Sequence, residues 1–193
     1  MSKINYIDDA FIEEKIDGVI YLMDRPTDKH LMVQGNLHNI FNNYFRQNKR
    51  QCVAIFEKQL YINNENYVIP DLMIYCRHNR DETGDKNIPV IIIEVLSNST
   101  WEKDLDIKMK KYAELGIKEY WTADYRNQRI DIYDLKSGKY EKHKSYACFV
   151  LEDYSIIPEI REKQQADAIK EFSPVSFPEM QIPLEEVFYF VQI

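Results

Sequence analysis

The stretch Pro89-Val-Ile-Ile-Ile-Glu-Val-Leu-Ser97 decides the fold, because it is a nearly continuous β-branched run. Such runs are typical of strands that are buried on both faces, at the centre of a sheet. Glu94 interrupts this run, and Asp71 lies in a second apolar segment, Val68-Ile-Pro-Asp-Leu-Met-Ile-Tyr75. An ionised carboxylate in an apolar strand is costly unless it is paired or holds a metal ion. Two such carboxylates on neighbouring strands therefore indicate a hard cation, which takes oxygen ligands.

Helical and strand-like segments surround this central strand. Apolar residues recur at three- and four-residue steps from His30 to Phe45, which predicts an amphipathic helix. Cys52–Ile62 alternates in polarity and returns through an asparagine-rich turn into Tyr67–Tyr75, which predicts a hairpin. A second helix is predicted from an N-cap at Ser99-Thr100 through Leu115. The remaining predicted segments are a turn and strand within Ile16–Met23, strands at Ile117–Asp124 and Arg129–Leu135, and a short helix within Pro178–Val187.

The order of these segments indicates an α/β fold built on a mixed sheet. A helix joins the central strand to the next strand, as in the right-handed crossover that links parallel neighbours. The chain has 193 residues, which suits one domain with one sizeable core. We therefore expect a single domain over residues 1–193.

Composition limits the classes of function. No segment approaches the roughly 20 apolar residues that a membrane span needs, and the N-terminus lacks the apolar core of a secretory signal. We therefore expect a cytoplasmic protein without a membrane partner. The net charge of −7 weighs against indiscriminate nucleic-acid binding. Lysines between Lys103 and Lys118 offer either a local basic face or an ordinary solvated helix face.

The three cysteines, Cys52, Cys76 and Cys148, are far apart in the sequence and form no CxxC pair. This spacing predicts small, separate core residues rather than a zinc knot or a disulfide framework.

Lys108 lies on the second predicted helix, with Asp104 one turn before it and Tyr112 one turn after it. In phosphodiester hydrolysis a metal ion polarises the phosphoryl oxygens and lowers the pKa of the attacking water. A neighbouring lysine positions that water and stabilises the developing negative charge. Asp71, Glu94 and Lys108 are thus a candidate catalytic set. Two structural carboxylates with basic partners, and one exposed lysine among several, are the alternative that the spacing leaves open.

Several motifs occur along the chain in a fixed order: Asp17-Gly18, Pro70-Asp71, Glu94-Val95-Leu96-Ser97, Asp104 and Lys108 with Tyr112, Gly116 to Trp121, and the FPEMQIPLEEVF segment. Together they resemble the Uma-two family of restriction endonucleases, within the PD-(D/E)xK nuclease superfamily. The superfamily's lysine usually lies two residues after the glutamate, where this chain has Leu96. The family carries the lysine on the following helix, and Lys108 fits that place.

The resemblance implies a restriction-endonuclease-like mixed β-sheet flanked by helices, with additional β-hairpins. It implies a Mg²⁺-dependent (or Mn²⁺-dependent) endonuclease that acts on DNA as a homodimer. Asp71, Glu94 and the Val95 backbone carbonyl would hold the metal, and Asp71, Glu94 and Lys108 would be catalytic. The side chains expected around this centre are Ser97, Asp104, Tyr112, His30 and Gln34. The polar stretch 142–172 is longer than the family pattern and is interpreted as an insertion with a role of its own.

Two other functions stay open at this point. The low net charge allows a nuclease-fold protein that binds or regulates, with weak or absent catalysis. No base-reading module is visible in the sequence, so a nuclease that acts on RNA is equally compatible with the motifs.

Overall fold

A computed structural model describes residues 12–23, 25–79, 87–97, 104–147 and 170–191. Its centre is a six-stranded mixed sheet. In spatial order the strands are β10 (Lys139–Ala147), β9 (Arg129–Lys136), β8 (Glu119–Asp124), β7 (Ile91–Val95), β6 (Leu72–Cys76) and β3 (Cys52–Phe56). Strands β7 and β8 run parallel, and the other neighbouring pairs are antiparallel. The predicted α/β fold with a mixed sheet is confirmed.

Strand β7 is central, and all of its residues are buried. Its side chains alternate between the two faces of the sheet, as in any strand. Ile91 and Ile93 belong to the core cluster that includes helix α1 (Asp28–Gln47), whereas Ile92 packs in a second cluster on the opposite face. The same alternation directs Glu94 toward that opposite face, so this carboxylate is buried on the side of the second cluster.

Helix α1 confirms the predicted amphipathic helix. Its buried residues include Val33, Leu37, Phe41 and Phe45, at the helical spacing seen in the sequence. The Thr27 side chain caps the helix by accepting a hydrogen bond from the backbone N–H of His30 at 3.4 Å. This cap fixes the first turn of the helix.

A second, four-stranded sheet contains β1 (Ile12–Ile16), which sequence reasoning missed. Its strands, in spatial order, are β2 (Val19–Met23), β1, β5 (Tyr67–Val68) and β4 (Leu60–Tyr61). Asp17 and Gly18 join β1 to β2 with φ angles of 50° and 81°, which is the geometry of a two-residue hairpin turn. The turn was recognised in the sequence, but the strand before it was not.

The antiparallel hairpin predicted from Cys52 to Tyr75 is confirmed, but each of its two strands is divided between the two sheets. Strand β3 pairs with β6 in the large sheet, and β4 pairs with β5 in the small one. The chain leaves the β3 direction at Glu57, whose φ of 39° does not continue a strand. Alternating polarity continues through this break, so the sequence pattern did not reveal it.

The crossover from β7 to β8 begins, within the described residues, as a π-helical turn, Asp104–Lys108, and continues as α2, Met109–Glu114. Gly116, with a φ of 73°, ends it as predicted. The predicted N-cap at 99–100 lies outside the described residues. Apolar spacing of three and four residues does not distinguish a π-helical turn from an α-helix, so this turn was not predicted.

Cys52 and Cys76 form a disulfide, which corrects the prediction of separate core cysteines. The two residues are paired in the β3–β6 register, with their Cα atoms 4.1 Å apart. Strand pairing therefore brings together two cysteines that are 24 residues apart in the sequence. Disulfides are rare in the cytoplasm, and the cytoplasmic location expected above stays a prediction.

The C-terminal segment covers the α1 side of the large sheet with β11 (Glu171–Phe172), β12 (Ile182–Pro183) and α3 (Leu184–Val187). Buried Glu119 holds this segment by accepting hydrogen bonds from the backbone N–H groups of Val175 and Ser176. Burial raises the pKa of Glu119, and these donors oppose the rise.

Most of the stretch 142–172, which the sequence analysis interprets as an insertion, lies outside the described residues. The first residues of this stretch complete β10. Within the described ranges, no helix has the length and apolarity of a membrane span.

Candidate active site

Glu94 lies in β7 on the face of the sheet that α2 covers, and it is 2% exposed. Its Oε1 atom accepts hydrogen bonds from the Lys108 ammonium at 3.1 Å and from the Tyr112 hydroxyl at 2.6 Å. Lys108 and Tyr112 are four residues apart, so they share one face of the crossover helix. The helix thus brings the predicted lysine into direct contact with the predicted glutamate.

Asp71 immediately precedes β6, which is the antiparallel neighbour of β7. Its backbone N–H donates to Glu94 Oε2 at 3.3 Å, and its Oδ2 accepts from the backbone N–H of Val95 at 2.6 Å. The Asp71 side chain is 18% exposed, more than that of Glu94. The two carboxylates are therefore adjacent, and Asp71 is the one that solvent reaches.

Helix α1 supplies two further polar contacts to Asp71. His30 Nε2 lies 3.0 Å from Asp71 Oδ1, and the Gln34 side-chain amide donates to the Asp71 backbone carbonyl at 2.7 Å. The same amide nitrogen reaches Glu57 Oε1 at 3.3 Å. His30 and Gln34 are one turn apart and mostly buried, so the capped start of α1 fixes both around Asp71.

Glu14, on β1, is a member of this network that sequence reasoning missed. Its carboxylate is 0% exposed and accepts from Lys108 Nζ at 2.8 Å. The same oxygen accepts from the backbone N–H of Ile69 at 2.8 Å. Glu14 alternates with buried Ile16 before the Asp17-Gly18 turn, and extending the predicted strand backward from that turn would have found it.

Tyr112 combines core packing with a polar role. Its ring lies in the apolar cluster on this face and packs against Tyr120 at 5.6 Å between ring centroids. Burial raises the pKa of Tyr112 well above its ordinary value, and the charges of Glu94 and Glu14 raise it further. The phenol therefore keeps its proton and donates it to Glu94 in a hydrogen bond.

The structure gives less detail on the other residues predicted around the two carboxylates. Ser97 is half-buried two residues beyond the end of β7. Asp104 begins the π-helical turn, and its side chain lies outside the described part of the structure. The Val95 N–H is used by Asp71, and the role of the Val95 carbonyl as a metal ligand stays a prediction.

The charges and atoms of this network fit a hard divalent cation. Glu14, Asp71, Glu94 and Lys108, when ionised, contribute three negative charges and one positive charge, which leaves an excess of two negative charges in a largely buried cluster. Within the described residues, no group of three or more His, Cys, Asp or Glu side chains is arranged to hold a metal. Mg²⁺ is commonly held by one or two carboxylates with water and substrate phosphate completing its shell. Asp71 and Glu94 meet that requirement.

The mixed sheet, with Asp71, Glu94 and Lys108 brought together beside its central strand, defines a restriction-endonuclease-like nuclease fold. A crystal structure described as a "putative nuclease belonging to DUF820" from Anabaena variabilis ATCC 29413 is similar, with a TM-score of 0.66 at 20% sequence identity. The match covers 93% of this chain and 90% of that one, and it shows the shared fold.

The model of the Uma2 family, described as "Putative restriction endonuclease", matches residues 8–163. The chain belongs to the Uma2 family, and the resemblance found in the sequence is confirmed. No curated protein matches the chain.

Proposed function

We propose that this protein is a divalent-metal-dependent endonuclease that hydrolyses phosphodiester bonds of DNA, with Mg²⁺ (or Mn²⁺) as its cofactor. One observation carries the proposal: Glu94 contacts both the Lys108 ammonium, at 3.1 Å, and the Asp71 backbone, at 3.3 Å. Three groups from three separate elements thus meet in one hydrogen-bonded network. Membership of a family of restriction-endonuclease-like nucleases supports the assignment.

Asp71 and Glu94, with the Val95 carbonyl, would hold the ion. When bound, the ion supplies Lewis-acid polarisation of the phosphoryl group and lowers the pKa of the attacking water. Lys108 places its positive charge beside Glu94, where it stabilises negative charge that develops on the phosphoryl oxygens. Tyr112 orients Glu94, and groups that orient ligands in this way commonly tune metal affinity.

Metal-dependent cleavage by the full-length protein is the first test. We expect duplex DNA to be cut in Mg²⁺ or Mn²⁺ and to stay intact in EDTA, because the site depends on a cation for its chemistry. Supercoiled plasmid distinguishes nicking from double-strand cutting, and single-stranded RNA serves as the competing substrate. Cleavage of RNA alone would overturn DNA as the substrate. Intact DNA and RNA in every metal would contradict the nuclease function.

A binding or regulatory module is the second candidate function. The observation that favours it is burial: Glu94 and Lys108 are each 2% exposed and are held by protein groups. Tight binding of nucleic acid without cleavage in any metal would support this alternative. Loss of a cellular phenotype on Asp71→Ala, with binding and folding retained, would oppose it.

We further propose a homodimer, so that two sites can act on the two strands of a duplex. Tyr189 and Phe190 are 59% and 55% exposed and lie beside α1, where Asn36 holds the Tyr189 carbonyl at 3.0 Å. Exposed aromatic pairs are typical of protein interfaces.

We expect light scattering of the wild-type protein to give twice the mass of one chain. The double variant Tyr189→Ser, Phe190→Ser should give the mass of one chain. Tyr61→Ser, at a similarly exposed aromatic residue, is the control. A monomeric wild-type protein at high concentration would contradict the dimer.

A further inference from the structure

A row of polar side chains crosses the large sheet from the candidate active site toward its edge. The strand registers pair Glu94 with Thr122, Thr122 with Asp131, and Asp131 with Ser145. Side chains opposite each other on adjacent strands point to the same face of a sheet. Thr122 and Asp131 are 2% and 3% exposed. The row therefore extends the buried polar side chains around Glu94 across β8 and β9 to the edge strand β10.

Asp131 binds two cations at the outer end of this row. Its Oδ2 atom lies 3.1 Å from Lys142 Nζ and 3.3 Å from the Arg129 guanidinium, and its Oδ1 accepts from the Ser145 hydroxyl. The carboxylate is buried, but the Lys142 and Arg129 side chains are 48% and 44% exposed. One negative charge thus holds two positive charges, and this trio carries a net positive charge toward solvent.

A β-bulge in β10 sets the position of Lys142. The β9–β10 register shifts between Lys142 and Lys144, so that Lys142 lies opposite Tyr133 while Ser145 lies opposite Asp131. In a regular strand Lys142 and Ser145, three residues apart, would point to opposite faces. The bulge turns both toward the Asp131 face, and Lys142 Nζ lies 5.4 Å over the Tyr133 ring. Bulges next to active sites commonly redirect a side chain in this way.

We propose that Arg129 and Lys142, held by Asp131, bind a backbone phosphate of the nucleic acid a few nucleotides from the bond that is cleaved. The choice of ligand rests on the proposed nuclease function. Neighbouring strands are about 4.8 Å apart, so β9 lies roughly 10 Å from β7. Successive phosphates of one strand rise ~3.4 Å along the duplex axis and also turn about it, so this distance falls within a few nucleotides of one strand. A guanidinium beside an ammonium is suited to a phosphate, since arginine can bind two of its oxygens.

The salt dependence of DNA binding tests this proposal. A labelled DNA duplex is titrated with the full-length protein in EDTA, and log K is plotted against log salt concentration. We expect the double variant Arg129→Gln, Lys142→Gln to reduce the slope by about 0.9, because one phosphate contact is lost. At 0.1 M salt this corresponds to about eightfold weaker binding.

Two further variants separate a phosphate site from a general charge effect. Arg77→Gln with Lys139→Gln removes the same amount of positive charge at the other ends of the strands. Arg77 follows β6, and Lys139 begins β10. This variant should keep the wild-type slope. Arg129→Lys with Lys142→Arg keeps both charges over Asp131 and should also keep the wild-type slope. This variant distinguishes an effect of lost charge from an effect of disturbed folding.

Equal slopes in the two charge-removing double variants, or a wild type without salt-dependent binding, would overturn the proposed phosphate site. If the wild type still cleaves DNA in that case, the nuclease function stands. If the slope changes as expected but no nuclease activity is found, the phosphate site stands and the proposed catalysis fails.

Discussion

Asp71→Asn is expected to abolish metal-dependent cleavage while leaving the fold intact. The substitution removes the more exposed of the two carboxylates, and with it a negative charge that a divalent cation needs. We expect a loss of more than about 10³-fold, beyond the ~10²–10³-fold that follows loss of a single preorganised electrostatic group. Asparagine can keep both contacts, because its oxygen accepts from Val95 N–H and its amide can donate to His30 Nε2.

Three measurements make this result specific to the site. The free energy of unfolding of Asp71→Asn should stay within about 1 kcal/mol of wild type, and calorimetric binding of Mn²⁺ should be lost. Asp106→Asn makes the same charge change at an exposed residue paired with Lys110, and it should leave cleavage and Mn²⁺ binding unchanged. An Asp71→Asn protein that cuts DNA at a rate near wild type would remove Asp71 from the catalytic set.

Lys108→Met is expected to reduce stability by about 3–5 kcal/mol, the range for leaving a buried charge without its partner. The Lys108 ammonium lies between Glu14 and Glu94, at 2.8 Å and 3.1 Å, and all three side chains are at most 2% exposed. Methionine retains most of the apolar part of the side chain but removes the charge, so two buried carboxylates would face each other. Urea unfolding measures the change, and the same variant should lose cleavage.

The charge argument also predicts a partial rescue. Adding Glu14→Gln to Lys108→Met removes one of the two opposed carboxylates and should recover part of the lost stability, without restoring cleavage. Lys110→Met removes a lysine from the same helix, but its side chain is 69% exposed, so we expect a change within about 0.5 kcal/mol. If Lys108→Met were as stable as Lys110→Met, Lys108 would not be the counter-charge of a buried network.

The elements of the large sheet could be predicted because burial leaves a direct pattern in the sequence. The β-branched run around Ile92 marked the central strand, and the periodicity of α1 marked the covering helix. The break at Glu57 could not be predicted, since a single positive φ does not disturb the alternation of polar and apolar residues. The Cys52–Cys76 disulfide depends on a strand register, which this sequence pattern alone did not specify.

The candidate site likewise contains residues that the sequence predicts and residues that it does not. Asp71 and Glu94 were visible because a carboxylate in an apolar strand is costly, whereas Lys108 was found through family resemblance rather than spacing. Glu14 was missed because its strand was not recognised before the hairpin turn. The Asp131 cation pair requires a bulge that only the pairing of β9 with β10 reveals. Residues that act through long-range register were thus beyond the reach of local patterns.

The most direct test of the central claim is a crystal structure of the full-length protein soaked in Mn²⁺, with the ion located by its anomalous scattering. We expect one ion bound by carboxylate oxygens of Asp71 and Glu94 and by the Val95 carbonyl, at roughly 2.0–2.6 Å. An ion bound elsewhere, or no ion between these groups at a saturating Mn²⁺ concentration, would contradict the assignment of this site as a metal-dependent nuclease centre.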